Sequence, residues 1–253
     1  MDANIKDAIT KIEEMADKKT VIREIDGRHY IIKDDTYTEI FSAIPKLPDC
    51  ATFTSLDGLV QMIQQELAEI TAHCEVAEIL YISVETPDRV MVWTGLDEYN
   101  RRANVYKAVC KFARNWHGAS WFEHEEAMIA LRSQFIENEG TGYLLDFLAR
   151  ISDDNSVQSD DNGMTQTVQV RKGISLAARE AVRPIVKLKP YRTFLEVEQP
   201  ESDFLVRVRE GMEIGIIEAD GGMWEIEARR NVAAYLRNEL MGLIEAGKVV
   251  VSL

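Results

Sequence analysis

The sequence predicts an α+β fold, with largely antiparallel sheets built from β-hairpins and packed against several amphipathic helices. Three observations predict it. Apolar residues alternate with a period of two in runs that flank turn dipeptides, which is the pattern of half-buried strands. Other stretches repeat their apolar residues every three or four positions, which places them on one face of a helix. The hairpins are followed by helices rather than alternating with them, and that order favours antiparallel over parallel sheet. With 253 residues, 46% of them hydrophobic and 28% charged, the chain is long enough and apolar enough to bury a proper core.

The elements follow in order. Ile5, Ala8, Ile9, Ile12 and Met15 recur at helical spacing, so residues 2–17 read as a first amphipathic helix. "KKTVIREIDGRHYIIKDD" gives two β runs around Asp26-Gly27, a strong two-residue hairpin signal. A Pro-punctuated connection, "SAIPKLPDCATF", closes an N-terminal helix and hairpin segment of residues 1–50, and residues 51–253 form the main body. There Leu56, Leu59, Val60, Ile63, Leu67 and Ile70 make one helical stripe, with Thr54 or Ser55 as N-cap. "EILYISVETPDRVMVWTG" alternates on both sides of Pro87-Asp88, and "RRANVYKAVCKF" adds a third strand. Met128, Leu131, Phe135 and Ile136 share one face of a helix, and "TGYLLDFLARI" offers another beyond Gly140 and Gly142.

"SDDNSVQSDDNGMTQ" is polar and acidic, and predicts a flexible loop near 152–163. β sequence then returns in "MTQTVQVRKG", "RTFLEVEQP" and a hairpin, "DFLVRVREGMEIGIIEAD", turning near Glu210-Gly211. After Gly221-Gly222, residues Trp224, Ala228, Val232, Tyr235, Leu236 and Leu240 mark the longest helix. Gly247 can end it, and "KVVVSL" forms a last strand.

Charge bounds the partners. The net charge of −14 argues against broad attraction to duplex nucleic acid, because phosphate contacts need clustered Lys and Arg. One modest basic run holds Arg183, Lys187, Lys189 and Arg192, and it reads first as a solvated strand edge guarded by Lys and Pro. Cys50, Cys74 and Cys110 lack metal spacing and read as buried free thiols of a reducing compartment. No stretch has the apolar length of a signal core or a bilayer span, so a cytoplasmic protein without membrane contact is expected.

Candidate chemistry is sparse. His124 sits between Glu123 and Glu125, but the i+4 position that a helical metal pair needs is Met128, so a surface or capping histidine is the plainer reading. Trp116, His117 and Trp121 lie close together, and indole faces can stack on bases; a packed loop is the structural alternative. GxSxG, SxxK, GxGxxG and the Walker loop are all absent, so nucleophilic catalysis and classical nucleotide folds lose support. "EADGG", Glu218 to Gly222, could present backbone N–H groups to an anion at a helix start. The nearby Glu218, Glu225 and Glu227 would repel that anion. A strand-to-helix turn, with φ > 0 at the glycines and Asp220 capping the helix, is the reading favoured here.

The series "FEHEEAMIALRSQF", "YLLDFLARI", "DDNGMTQTVQVRKG", "PYRTFLEVEQPESDFLVRVREG" and "EADGGMWEIEARRNVAAYL" resembles the YfdQ-like family of bacteriophage and prophage proteins, over roughly residues 50–253. The resemblance implies a phage-encoded cytoplasmic protein from a neighbourhood of DNA metabolism and recombination genes. It carries over no activity, cofactor or catalytic residue. The leading expectation is a non-enzymatic accessory protein that self-associates and binds a host or phage partner. The alternative is a binder of small nucleotides or single strands that uses the Trp116–Trp121 segment with the Arg183–Arg192 run. A metal-dependent enzyme built on His124 comes third.

Overall fold

The computed structural model describes residues 9–11, 20–25, 28–33, 36–40, 47–73, 79–97, 99–111, 119–151, 156–161, 166–172, 175–209 and 213–253. The chain divides into two compact units, Met1–Leu47 and Pro48–Leu253. In the first, β1 (Thr20–Ile25), β2 (Arg28–Lys33) and β3 (Thr36–Ile40) form an antiparallel meander. Pairing of Ile25 with Arg28 brackets the Asp26-Gly27 dipeptide, as the alternation demands. The third strand has no counterpart in the sequence reading. Of the expected helix at 2–17, residues 9–11 are helical and the remainder lies outside the described residues.

The second unit holds two five-stranded sheets, each with its own core. In the first sheet, β4 (Ala51–Phe53), β5 (Leu80–Thr86), β6 (Arg89–Trp93), β7 (Asn104–Val109) and the C-terminal β16 (Val249–Ser252) lie in the order β16-β5-β6-β7-β4. Helix α1 (Leu56–His73) lays Leu56, Leu59, Val60, Ile63 and Leu67 into the core beneath Ile82, Val84, Val90 and Val92, and all nine are at most 5% exposed. The side chain of Ile70 lies outside the described ones. Ser55 caps this helix through the Gly58 N–H (3.2 Å). A second cap comes from far along the chain, where the Glu196 carboxylate accepts from the Leu56 N–H at 2.7 Å.

The second sheet runs β8-β15-β14-β13-β9 and is antiparallel throughout, from β8 (Ala119–Phe122), β9 (Phe135–Ile136), β13 (Ile185–Pro190), β14 (Ser202–Val208) and β15 (Ile214–Glu218). Burial alternates without a break along β14, and Phe204, Val206 and Val208 face α2 (His124–Gln134) and α3 (Glu139–Arg150) through a common core. Two expectations change here. Phe135 and Ile136 leave the helix and pair with Lys189 and Pro190, because β13 needs backbone partners beyond the end of β14. Gly140 does not separate helices but sits inside α3, where an added Cβ would stand 2.0 Å from the Lys187 carbonyl oxygen. The helix touches the sheet backbone at that point.

Residues 156–161, expected as part of an acidic loop, form β10 (Ser156–Asp161) in a three-stranded sheet with β11 (Gln166–Lys172) and β12 (Ser175–Val182). Antiparallel pairing with β11 satisfies the backbone of a strand whose polar composition conceals it. "RTFLEVEQP", expected as a strand, is instead an irregular segment in which Arg192, Thr193, Phe194, Val197, Gln199 and Pro200 are buried. Its organiser is Gln199, 2% exposed. The Gln199 amide oxygen accepts from the N–H groups of Arg192 and Thr193 (3.0 and 3.1 Å), and its nitrogen donates to the carbonyls of Phe194 and Val197 (2.8 and 3.3 Å). A side chain thereby does the work of a neighbouring strand. Phe194 and Val197 enter the α1 core, while Arg192 reaches toward the second sheet. The long helix α4 (Met223–Glu239) and the short α5 (Met241–Glu245) lead into β16, and Gly247, at φ +71°, follows α5 rather than α4.

Candidate functional site

The turn "EADGG" carries β15 into α4. Gly221 and Gly222 take φ of +65° and +83°, and an added Cβ at either would meet nothing, so backbone conformation alone calls for glycine there. Gly222 holds the N-cap position and has no side chain to cap with. Asp220 serves from two residues back, accepting from the N–H groups of Gly222 (3.0 Å) and Trp224 (3.2 Å). The acid is consumed by the helix start.

Beneath the turn lies Arg192, whose side chain is fully buried. Its Nη1 donates to Glu218 Oε1 at 2.8 Å, and its Nη2 donates to Ser202 Oγ. The guanidinium carbon stands 4.0 Å from the Trp224 ring centre and 5.7 Å from that of Phe204. Burial lowers the Arg192 pKa, and Glu218 pulls it back up. Glu218 is raised by burial, resisted by Arg192 and pushed further by the nearby Asp220. For Asp220 burial acts upward, but the Ser202 hydroxyl, the two capping N–H groups and Arg192 together hold it below the usual range. The three perturbed groups thus bind one another and the backbone.

Above this network opens a cleft of about 300 Å³. One wall comes from the sheet, with Lys187 on β13 and Ser202 and Asp203 on β14, preceded by Glu201. The other wall is the first two turns of α4, with Met223, Ile226, Glu227 and Arg230. Asp220 and Trp224 lie at its base, joining cleft to network. Met223 and Ile226 are 67% and 47% exposed.

Of the residues singled out in the sequence, Lys187, Arg192, Asp220, Gly221 and Gly222 come together here. The others do not join them. Arg183 lies over the Tyr143 ring (4.4 Å) and pairs with Glu139 at 3.3 Å, while Lys189 pairs with Glu198 at 2.7 Å and holds that carboxyl below its usual range. Lys187 lies 3.6 Å from Glu201, and Arg192 is bound to Glu218. Each cation of the basic run therefore has its own carboxylate, and the run offers no shared phosphate-binding face. Trp121, on β8, packs across the strand pair onto Gly215 and carries the Arg209 guanidinium 3.5 Å from its ring centre. That ring face is already taken. Trp116 and His117 lie outside the described residues.

His124 is spent on architecture: its Nε2 lies 2.8 Å from the Leu148 carbonyl near the end of α3. Among the described residues no three His, Cys, Asp or Glu converge as metal ligands. Cys110 is buried, but Cys50 is partly exposed, contrary to the expectation of uniformly buried thiols, and Cys74 lies outside the described residues. No described helix is long and apolar enough to cross a membrane.

The sequence reading missed Ser202, Asp203 and the exposed wall of α4. One signal for that wall was available. The stripe Trp224, Ala228, Val232, Leu236 defines the buried face, and Met223 and Ile226 are apolar residues that fall off it. Comparison of the chain with models of protein families, with curated proteins and with solved structures finds no match.

Proposed function

We propose that the chain is a phage-encoded, non-enzymatic accessory protein that acts by binding a protein partner through the cleft between β13–β14 and the start of α4. The observation that carries this reading is the exposure of Met223 and Ile226, at 67% and 47%, on a wall that also bears carboxylates. An apolar pair rimmed by charge is the composition of a protein-contact surface. The use of the perturbed groups supports the non-enzymatic part. Arg192, Glu218 and Asp220 hold one another, Ser202 and a helix start, and the Ser202 hydroxyl accepts from the Arg192 guanidinium. The phage setting is supported by the sequence likeness alone.

A photo-crosslinking side chain at position 226, in protein produced in its host cells, tests the reading. A specific protein adduct from position 226, absent when the same group replaces the remote Glu245, is the expected outcome. A second copy of the chain as the adduct would locate self-association at the cleft. Turnover of a nucleotide or nucleic acid that is abolished by Asp220→Asn in stably folded protein would overturn the proposal.

A further inference from the structure

Building on that reading, we infer that the occupant of the cleft is a basic amphipathic segment of the partner, with apolar side chains seated on Met223 and Ile226 and Lys or Arg residues against the surrounding carboxylates. Met223 and Ile226 are three residues apart on one helix, so they form a single apolar step about one turn long. Around it stand Asp203 and Glu227, while Asp220 is already held by the helix start. Lys187 is offset by Glu201, 3.6 Å away, and Arg230 offsets one of the two remaining acids, so the wall stays net negative. A partner that covers this step also removes water from the carboxylates, and an acidic or neutral segment would leave them uncompensated. A cationic segment supplies the missing charge. Phosphate-bearing ligands are disfavoured by the same charges. Complementarity of charge, beside an exposed apolar step, therefore selects one class of occupant.

The probe is a short fluorescent peptide of leucines and lysines in helical spacing, with two twins: lysine and serine without apolar residues, and leucine and glutamate with reversed charge. Binding to the full chain is read by anisotropy at low and physiological salt. The leucine–lysine peptide is expected to bind, its glutamate twin not to bind, and its serine twin to bind at least about tenfold more weakly, a difference of about 1.4 kcal/mol. Asp203→Asn with Glu227→Gln should weaken the leucine–lysine peptide by about tenfold or more, and Met223→Ser should weaken it while leaving charge intact. Glu213→Gln with Glu245→Gln removes the same number of charges from exposed positions away from the cleft and should have little effect.

Equal weakening by both pairs would show attraction to net charge alone and overturn the inference. Failure of the leucine–lysine peptide to bind would do the same. The crosslinking experiment separates the two levels. An adduct at position 226 whose contacting segment is not basic ends this inference and leaves the binding function standing. No adduct at all ends both.

Discussion

Asp220 shows how one side chain can resemble a ligand group and yet be occupied by structure. Its carboxylate closes the start of α4 through two backbone N–H groups, and its pKa lies below the usual aspartate range. A carboxylate with a depressed folded pKa contributes stability that is complete above its unfolded value, near ~4, and is lost as pH falls through the lower folded value. Asp220→Ala should therefore cost about 1 kcal/mol at neutral pH, the usual worth of a cap. The difference in melting temperature from the parent should shrink below the ordinary aspartate range. A difference that grows on acidification would contradict this assignment. Arg192 is the larger stake. Removing a buried cation strands Glu218, and Arg192→Met should cost about 3–5 kcal/mol by urea unfolding. Adding Glu218→Gln should restore part of that loss, since the stranded charge is what makes the single change expensive. Equal losses in the single and double variants would mean that packing on Trp224, at 4.0 Å, dominates instead.

At the scale of elements, two devices position the cleft walls. Helix α3 meets β13 at Gly140, where a methyl group would stand 2.0 Å from the Lys187 carbonyl oxygen. Neither backbone can yield without disturbing the other. Gly140→Ala should destabilise by about 1–3 kcal/mol or more, as overpacking does, although alanine is the better helix former. A stabilised variant would show that the helix and sheet slide apart freely. The second device is the irregular segment from Tyr191 to Pro200, where Gln199 stands in for a strand. Gln199→Leu keeps the volume but leaves the Arg192 and Thr193 N–H groups without that acceptor, at about 1–3 kcal/mol for each buried donor so orphaned. An unchanged midpoint in thermal unfolding would mean that water replaces the amide.

For the whole molecule, the sequence revealed elements better than their arrangement. The stripe Leu56 to Leu67 is buried as read, and the hairpin across Pro87-Asp88 is paired as read, because local periodicity reports directly on a core face. β10 escaped notice because its stability comes from pairing with β11, which composition does not encode. "RTFLEVEQP" alternates like a strand, yet four of its backbone groups bond to one glutamine side chain, a tertiary solution that no period reveals. The site was half legible. Asp220, Gly221, Gly222 and Lys187 were visible as a turn and a basic run, and the turn has the positive-φ glycines and the helix-capping Asp220 that the sequence favoured. The cleft was not visible, since it arises where β13, β14 and α4 meet and draws on residues from Lys187 to Arg230.

Binding and stability measured together on one variant test the central claim, that the exposed step on α4 exists for a partner rather than for the fold. Met223→Ser with Ile226→Ser removes the step from side chains already 67% and 47% exposed. With a photo-crosslinking group at position 230, the parent protein should yield a specific partner adduct and the variant should lose it, with the two melting temperatures unchanged. Loss of the adduct together with a fall in melting temperature, or an undiminished adduct in the variant, would contradict the account.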